Sequence, residues 1–294
     1  MNEISLLAIA LFFSLHQVSV KKGTIGCDTT TGTFVSIATT AVLFTLLSIP
    51  RLIRFASFVH PHFQSFVAIM AIAGILHFLI ARTAFYFCID RVGANVAGLL
   101  AATRIMFAAL FGVIMFVEKL TFQILAMSGL IFLGIAVLSE SWYENGGMNS
   151  KNAGSKVDVV GIALGLFTGF VAALSSAIVK AGMTIYSDAV LGTAIGYLAS
   201  LLLFSLFAGG KIKRAGRDYW PFVLGGIFVG FGHYLRYEAL SIYPVSVVEP
   251  FLSVYPMFTV VLSYVFLRDV EVFSLRLVVA ALLIISGIEI YFLL

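Results

Sequence analysis

The stretch KKGTIGCDTTTGT (Lys21–Thr33) returns later in the chain as KAGMTIYSDAVLGT (Lys180–Thr193), once Met183 is taken as an insertion. Both copies keep an Asp, a three-residue gap and then Gly-Thr: Asp28 to Gly32-Thr33, and Asp188 to Gly192-Thr193, a shift of 160. An Asp here can cap the N-terminus of a following helix, and Gly-Thr lets two backbones come close. A structural role is therefore expected for the motif. Its greater use is as a marker that the chain contains one unit twice.

The surroundings say what kind of unit. Of the 294 residues 61% are hydrophobic and 11% charged, with mean hydropathy +1.08. That is too little charge to cover a soluble domain of this length. A bilayer core needs roughly 20 apolar residues per helix. Such runs fall near 4–20, 32–49, 65–88, 94–117, 121–138, 158–180, 188–208, 219–238, 244–267 and 272–293, with 219–238 the least clean. The expectation is an all-α integral membrane protein with ten transmembrane helices. The first run, LLAIALFF, follows Glu3 rather than a basic residue and precedes no small-residue cleavage site, so it is expected to stay as a span.

One long polar stretch, ESWYENGGMNSKNAGSKVD (Glu140–Asp158), has the Gly, Asn and Ser content of a flexible linker. It divides the chain into a first five-helix unit over 1–139, a linker over 140–157 and a second five-helix unit over 158–294. An odd number of spans forces the second copy to enter the membrane upside-down. Inverted repeats of this kind mark secondary transporters. A second alignment, at a shift of 151, sets RIMF (Arg104–Phe107) on YPMF (Tyr255–Phe258), Glu118 on Asp269, Tyr86 on Tyr237 and Arg82 opposite His233.

Two segments then carry a resemblance. GANVAGLLAATRIMFAALFGVIMFVEKLTFQILAMSGLIFLGIAVL (Gly93–Leu138) and EALSIYPVSVVEPFLSVYPMFTVVLSYVFLRDVEVFSLRLVVAALLIISGIEIY (Glu238–Tyr291) run through a central span to an acidic residue and on into an apolar span. In this, and in length, span count and linker position, the chain resembles the drug/metabolite transporter superfamily, EamA type. The resemblance implies alternating access to a central site. Relatives often carry Glu-Pro shortly before the terminal acidic residue. Here those places hold Arg104-Ile105 and Tyr255-Pro256, and Glu249-Pro250 lies six residues before the latter.

Charged groups within a span cost about 2.5–3.5 kcal/mol on insertion scales and so call for a reason. Arg104 sits mid-span among Ala97, Ala101 and Ala108, placed either to attract a substrate anion or to pair with Glu249. Glu249 shares a helix face with Ser246 and Ser253, beside Pro250 and Pro256, as a coupling-proton carrier or as the partner of Arg104. His77 and Arg82 on the third span correspond to His233, Tyr234 and Tyr237 on the eighth. His16 and Gln17 correspond to Ser175 and Ser176, with Thr168 on the Ser175 face. The expected substrate-binding set is His16, Gln17, His77, Arg82, Arg104, Ser175, His233, Tyr234, Tyr237, Glu249, Ser253 and Tyr255. Arg82, Arg236 and Glu238 stand nearer span ends, where long side chains reach water; that reading is preferred for all three, and Arg236 and Glu238 are left out of the set. Gly161, Gly165 and Gly169 form a ladder typical of a helix-packing seam.

Several classes are excluded or set aside. There is no Walker A loop, HExxH or GxSxG, so neither ATP-driven transport within this chain nor an enzyme is expected. His60-Pro61-His62 lacks a third ligand, Cys27 and Cys88 lack metal or redox spacing, and no cofactor is expected. The basic balance, pI about 9.1, suits anionic lipid rather than nucleic acid. The expected partners are the bilayer, a small polar or amphipathic metabolite (an amino acid or another carboxylate- or phosphate-bearing solute) and a coupling proton or ion. The chain is expected in the plasma membrane, as a monomer or homodimer. An intramembrane lipid-modifying enzyme and a non-transporting scaffold are the alternatives. Counting Lys and Arg at span ends gives five on the side of the termini and ten opposite, which places the termini outside. The family resemblance implies cytoplasmic termini, and that arrangement is the one expected.

Overall fold

The computed structural model describes residues 3–53, 61–119, 121–144, 158–208, 212, 217–267 and 275–293. Apart from one short 3-10 turn and one π-helical segment, its regular structure is α-helical. The first half holds α1 (Glu3–Thr24), α2 (Thr29–Ile53), α3 (Pro61–Gly74), a π-helical segment (Ile75–Ala81), α4 (Arg82–Val92), α5 (Ala94–Ala102), α6 (Arg104–Phe116) and α7 (Phe122–Glu144). The second holds α8 (Val159–Ile185), α9 (Ala189–Ala208), α10 (Trp220–Ile242), α11 (Val245–Leu252), α12 (Tyr255–Phe266) and α13 (Leu275–Leu293). Helix α7 therefore extends to Glu144, into the stretch read as linker.

Six stretches among the described residues are long and apolar enough to cross a membrane: Thr29–Arg51, His62–Val92, Ala94–Phe116, Val159–Ile185, Ala189–Ala208 and Val245–Phe266. Shorter apolar runs, Phe122–Gly134 and Val278–Gly287, lie within α7 and α13. Helices α1 and α10 are outside the six. The first carries Glu3, His16, Gln17, Lys21 and Lys22, the other His233, Arg236 and Glu238. Much of the outer surface is apolar, with Leu202, Leu206, Phe207, Ile114 and Leu275 all exposed, as lipid-facing helices require.

The repeated motif caps its helix in both copies. Asp28 accepts from the Thr31 N–H at 2.9 Å to start α2, and Asp188 from the Leu191 N–H at 3.0 Å to start α9. Thr33 and Thr193 are buried and each bonds the carbonyl four residues back at 2.7 Å. Gly32 lies against Phe222 and Gly192 against Met70 and Phe66, leaving no room for a side chain. Asp158 caps α8 in the same way, accepting from the Gly161 N–H at 2.8 Å. The glycine ladder of α8 packs on α4 and α5, through Val92, Leu100 and Thr103.

Packing pairs repeat between the halves. Helix α1 lies on α10 and α12, and α8 lies correspondingly on α3–α4 and α6. Helix α2 meets α10 while α9 meets α3. Two further pairs, α2 with α9 and α7 with α13, join corresponding helices to each other. The Asp269 counterpart of Glu118, His60 and residues 145–157 lie outside the described residues.

Candidate functional site

Three interruptions in the helices build the centre of the molecule. The first is the π-helical segment Ile75–Ala81, seven residues of wider winding between α3 and α4. Such segments rotate the side chains beyond them and recur at functional sites. It buries His77 and delivers Arg82 as the first residue of α4, 4% exposed. The second lies at Thr103, between α5 and α6, where the Thr103 N–H bonds Leu100 O at 3.2 Å and the Met106 N–H bonds Thr103 O at 3.1 Å. The third lies at Ser253–Val254, where the Val254 N–H bonds Phe251 O at 3.4 Å and the Met257 N–H bonds Val254 O at 3.0 Å. These two tight turns are related by the 151-residue shift bond for bond. Arg104 and Tyr255, the first helical residues after them, are the aligned pair.

Around these interruptions is a cavity of about 50 Å³, room for about four waters. Seven of the expected residues line it: His16 and Gln17 of α1, His77, Arg82, Arg104, His233 and Tyr255. Phe13, Phe85 and Val229 supply apolar wall, with Ala81, Ala101, Thr168 and Ala172. The His77 and His233 rings meet edge-on with centroids 4.6 Å apart, and Phe13 meets His233 in the same way at 4.9 Å. Tyr255 donates its hydroxyl to Gly98 O at 2.7 Å. Gln17 accepts from Thr259 at 2.9 Å. His16 Nδ1 lies 3.0 Å from Gly225 O, so that nitrogen is the donor. Ser175, its aligned counterpart, donates to Ala73 O at 3.0 Å, at the corresponding place on α3.

Five expected residues do not line the cavity. Ser175 is used in the bond to α3. Tyr234 packs beside Phe44, with centroids 6.3 Å apart, and is only partly buried. Tyr237 is wholly buried 6.4 Å from His233. Ser253 donates to the Glu249 backbone carbonyl at 2.9 Å. Glu249, 0% exposed, sits behind the cavity as the anchor of its cations.

Two expectations of side chains reaching water are corrected, since Arg82 is 4% exposed beside the cavity and Arg236 is buried behind it. Arg236 does not reach for water: it is fully buried, with Nε donating to Glu249 Oε1 at 3.0 Å and Nη2 to Ser176 and Ala172 O. Its Nη1 faces Nδ1 of His233 at 3.4 Å and of His77 at 3.5 Å. A guanidinium only donates, so both ring nitrogens facing it are acceptors. Ser176 also donates to Glu249 Oε1, at 2.6 Å. Arg104 is held more loosely, its Nη1 3.7 Å from Glu249 Oε2 and its guanidinium 5.2 Å from the Tyr255 ring centroid. Arg82 lies over the Tyr197 ring at 4.8 Å and donates to the Tyr197 hydroxyl. Both cavity arginines keep a buried nitrogen without a hydrogen-bond partner among the described residues, Nη1 of Arg82 and Nε of Arg104. An ion taken out of water costs several kcal/mol even after relaxation, on the order of a domain's whole stability when several are buried.

Sequence reasoning missed Arg236, Phe13, Phe85 and Val229. The i, i+3 spacing of His233 and Arg236 on one helix face was the available signal for the arginine. Cys27 and Cys88 are free thiols, Cys88 buried in α4. Among the described residues no group of three or more His, Cys, Asp or Glu is placed to hold a metal ion.

Comparison with known proteins bears on the whole chain. No curated protein matches it. One crystal structure, described in print only as that of a protein, superposes with a TM-score of 0.71 at 18% identity, over 98% of this chain and 94% of the other. At that identity the likeness is one of fold. The sequence profile of the EamA-like transporter family matches twice, over residues 2–140 and 159–293, leaving out only the polar segment between them. Two family matches, six membrane-length apolar helices and paired halves around a charged cavity agree, and this chain belongs to the EamA-like transporter family.

Proposed function

We propose that this integral membrane protein is a secondary transporter that moves a small polar or amphipathic solute bearing a carboxylate or phosphate, amino acids included, by alternating access. Its halves are two five-helix units of opposite orientation: α1, α2, α3–α4, α5–α6 and α7, then α8, α9, α10, α11–α12 and α13. The reciprocal packing of corresponding helices supports this, since a two-fold relation between halves exchanges just those pairs. The observation that carries the functional reading is the cavity itself. It lies between the halves at two broken helices, and Arg82 and Arg104, two of its lining residues, each keep a buried donor without a partner among the described residues. Broken helices at a repeat interface are where transporters of this architecture hold their solutes.

With room for about four waters, the cavity is small for such a solute, and solute binding requires the halves to part. Glu118 ties them in this state, its carboxylate accepting from the Val245 N–H at 3.0 Å and the Ser246 N–H at 3.1 Å at the start of α11. The test is counterflow of labelled carboxylates, phosphate esters and amino acids in proteoliposomes, with Arg104→Leu beside the natural protein. The variant is expected to lose counterflow of the substrate that the natural protein exchanges. Unchanged affinity and rate in Arg104→Leu removes the binding role, and a protein that exchanges nothing is better read as a scaffold.

A further inference from the structure

Arg82, Arg104, Arg236 and Glu249 meet at the centre of the bundle, all at most 5% exposed, and their charges do not balance. Glu249 is the one buried carboxylate among the described residues, hydrogen-bonded through Oε1 and not through Oε2. Its Oε1 accepts from Arg236 and Ser176, and its Oε2 faces Arg104. It neutralises one guanidinium charge. Two positive charges remain, and arginine cannot shed its proton to escape burial as lysine can. The remaining buried cation, Lys21, donates to Ile89 O at 3.4 Å and takes no part in this cluster.

The spare donors belong to the uncompensated side. Arg82 Nη1 and Arg104 Nε are both buried without a partner, and both residues line the cavity from different elements. The one buried carboxylate among the described residues, Glu249, already faces two guanidiniums, Arg236 at 3.0 Å and Arg104 at 3.7 Å, and has no charge to spare for an ammonium. A zwitterionic amino acid carries no net charge, so it would leave the two positive charges uncompensated. The binding reading given above is assumed here and narrowed. We propose that the cavity takes a small organic dianion, a phosphate monoester or a dicarboxylate, and rejects zwitterions. Arg236 keeps Glu249 throughout, through its 3.0 Å bond, while Arg104, 3.7 Å from the same carboxylate, turns from Glu249 to the anion.

The full chain in detergent is titrated at fixed ionic strength with glycerol 3-phosphate, succinate, propionate and alanine, reading thermal stabilisation. Labelled forms of the four are then exchanged in proteoliposomes. At least one dianion is expected to bind tenfold or more tightly than propionate, with no response to alanine. Glycerol 3-phosphate against succinate distinguishes the phosphate from the dicarboxylate. Arg104→Gln should reduce dianion affinity to that for propionate, and Arg104→Lys, which keeps the charge and checks folding, should retain a dianion preference. Alanine or propionate binding as tightly as both dianions overturns the inference, and so does a protein that responds to none of the four. If alanine is then exchanged, the transporter reading survives without it. Dianion binding with no exchange of any probe keeps the charge argument and removes transport instead.

Discussion

Two arginines share one carboxylate, and their geometries assign them different work. Arg236 is fully buried and spends its donors on Glu249, Ser176, Ala172 and two imidazoles. Removing one partner of such a buried pair leaves the other charge stranded, a loss of about 3–5 kcal/mol. Arg236→Leu is therefore expected to lower the thermal unfolding temperature in detergent sharply. Arg104→Gln should not, because Glu249 keeps its closer partner and Arg104 already leaves Nε unpaired. The glutamine variant should instead fold normally and bind a dianion no more tightly than propionate. Equal melting losses in the two variants would remove the distinction. Arg104 and Glu249 were legible from the sequence because a charge mid-span has no other excuse. Arg236 was not, because distance along the chain to a span end does not measure depth within a bundle. Its counterpart at the shift of 151 is an apolar residue, Phe85, so the repeat gave no warning either.

At the scale of helices, the elements that matter most are those that stop early. Pro256, in the first turn of α12, marks the turn at Ser253–Val254, but the one at Thr103 was hidden in AATR, a stretch with no Pro or Gly, because tertiary packing sets it rather than local propensity. The π-helical segment left no trace in an apolar run for the same reason. By contrast, the Asp-capped starts of α2 and α9 were readable, since a cap is local chemistry. One helix end stores strain. Gly93, with φ 85°, divides α4 from α5 at no steric cost, but Val117 closes α6 with φ 53°, where a β-branched side chain is disfavoured. The next residue explains its tolerance. The Glu118 N–H bonds Gly112 O at 3.1 Å, and the Glu118 carboxylate caps α11. Val117→Gly is expected to stabilise this closed state by about 1 kcal/mol, read as a raised melting temperature. Glu118→Ala should lose about 1–2 kcal/mol by uncapping α11 and, by loosening the two halves, raise access to the cavity. A Val117→Gly protein that melts lower than the natural one would show that the left-handed residue carries no strain.

For the whole molecule, one labelling experiment reaches both the orientation of the halves and the sidedness of the membrane. The duplicated Asp-xxx-Gly-Thr motif follows α1 in one copy and α8 in the other. If five spans separate the copies, the connector holding Ile25 and the one holding Ser187 lie on opposite faces of the bilayer. Both residues are exposed, Ile25 at 64%. A protein with Cys27→Ser and Cys88→Ser gains a single thiol from Ile25→Cys or from Ser187→Cys, and intact cells are treated with a membrane-impermeant maleimide. One variant should label at once and the other only after permeabilisation. Labelling of both from the same side would make the repeats parallel and remove the two-fold relation that the packing pairs imply. The same result decides sidedness. Cytoplasmic termini, which the family resemblance implies, put Ile25→Cys outside. The excess of Lys and Arg on the face opposite the termini puts Ser187→Cys there instead. Lys21 and Arg236, one from each side of the count, are buried and bonded within the bundle, and leaving both out keeps the same excess on the face opposite the termini. On the arrangement that the family resemblance implies, Ile25→Cys is the variant expected to label first, and first labelling of Ser187→Cys would uphold the charge count instead.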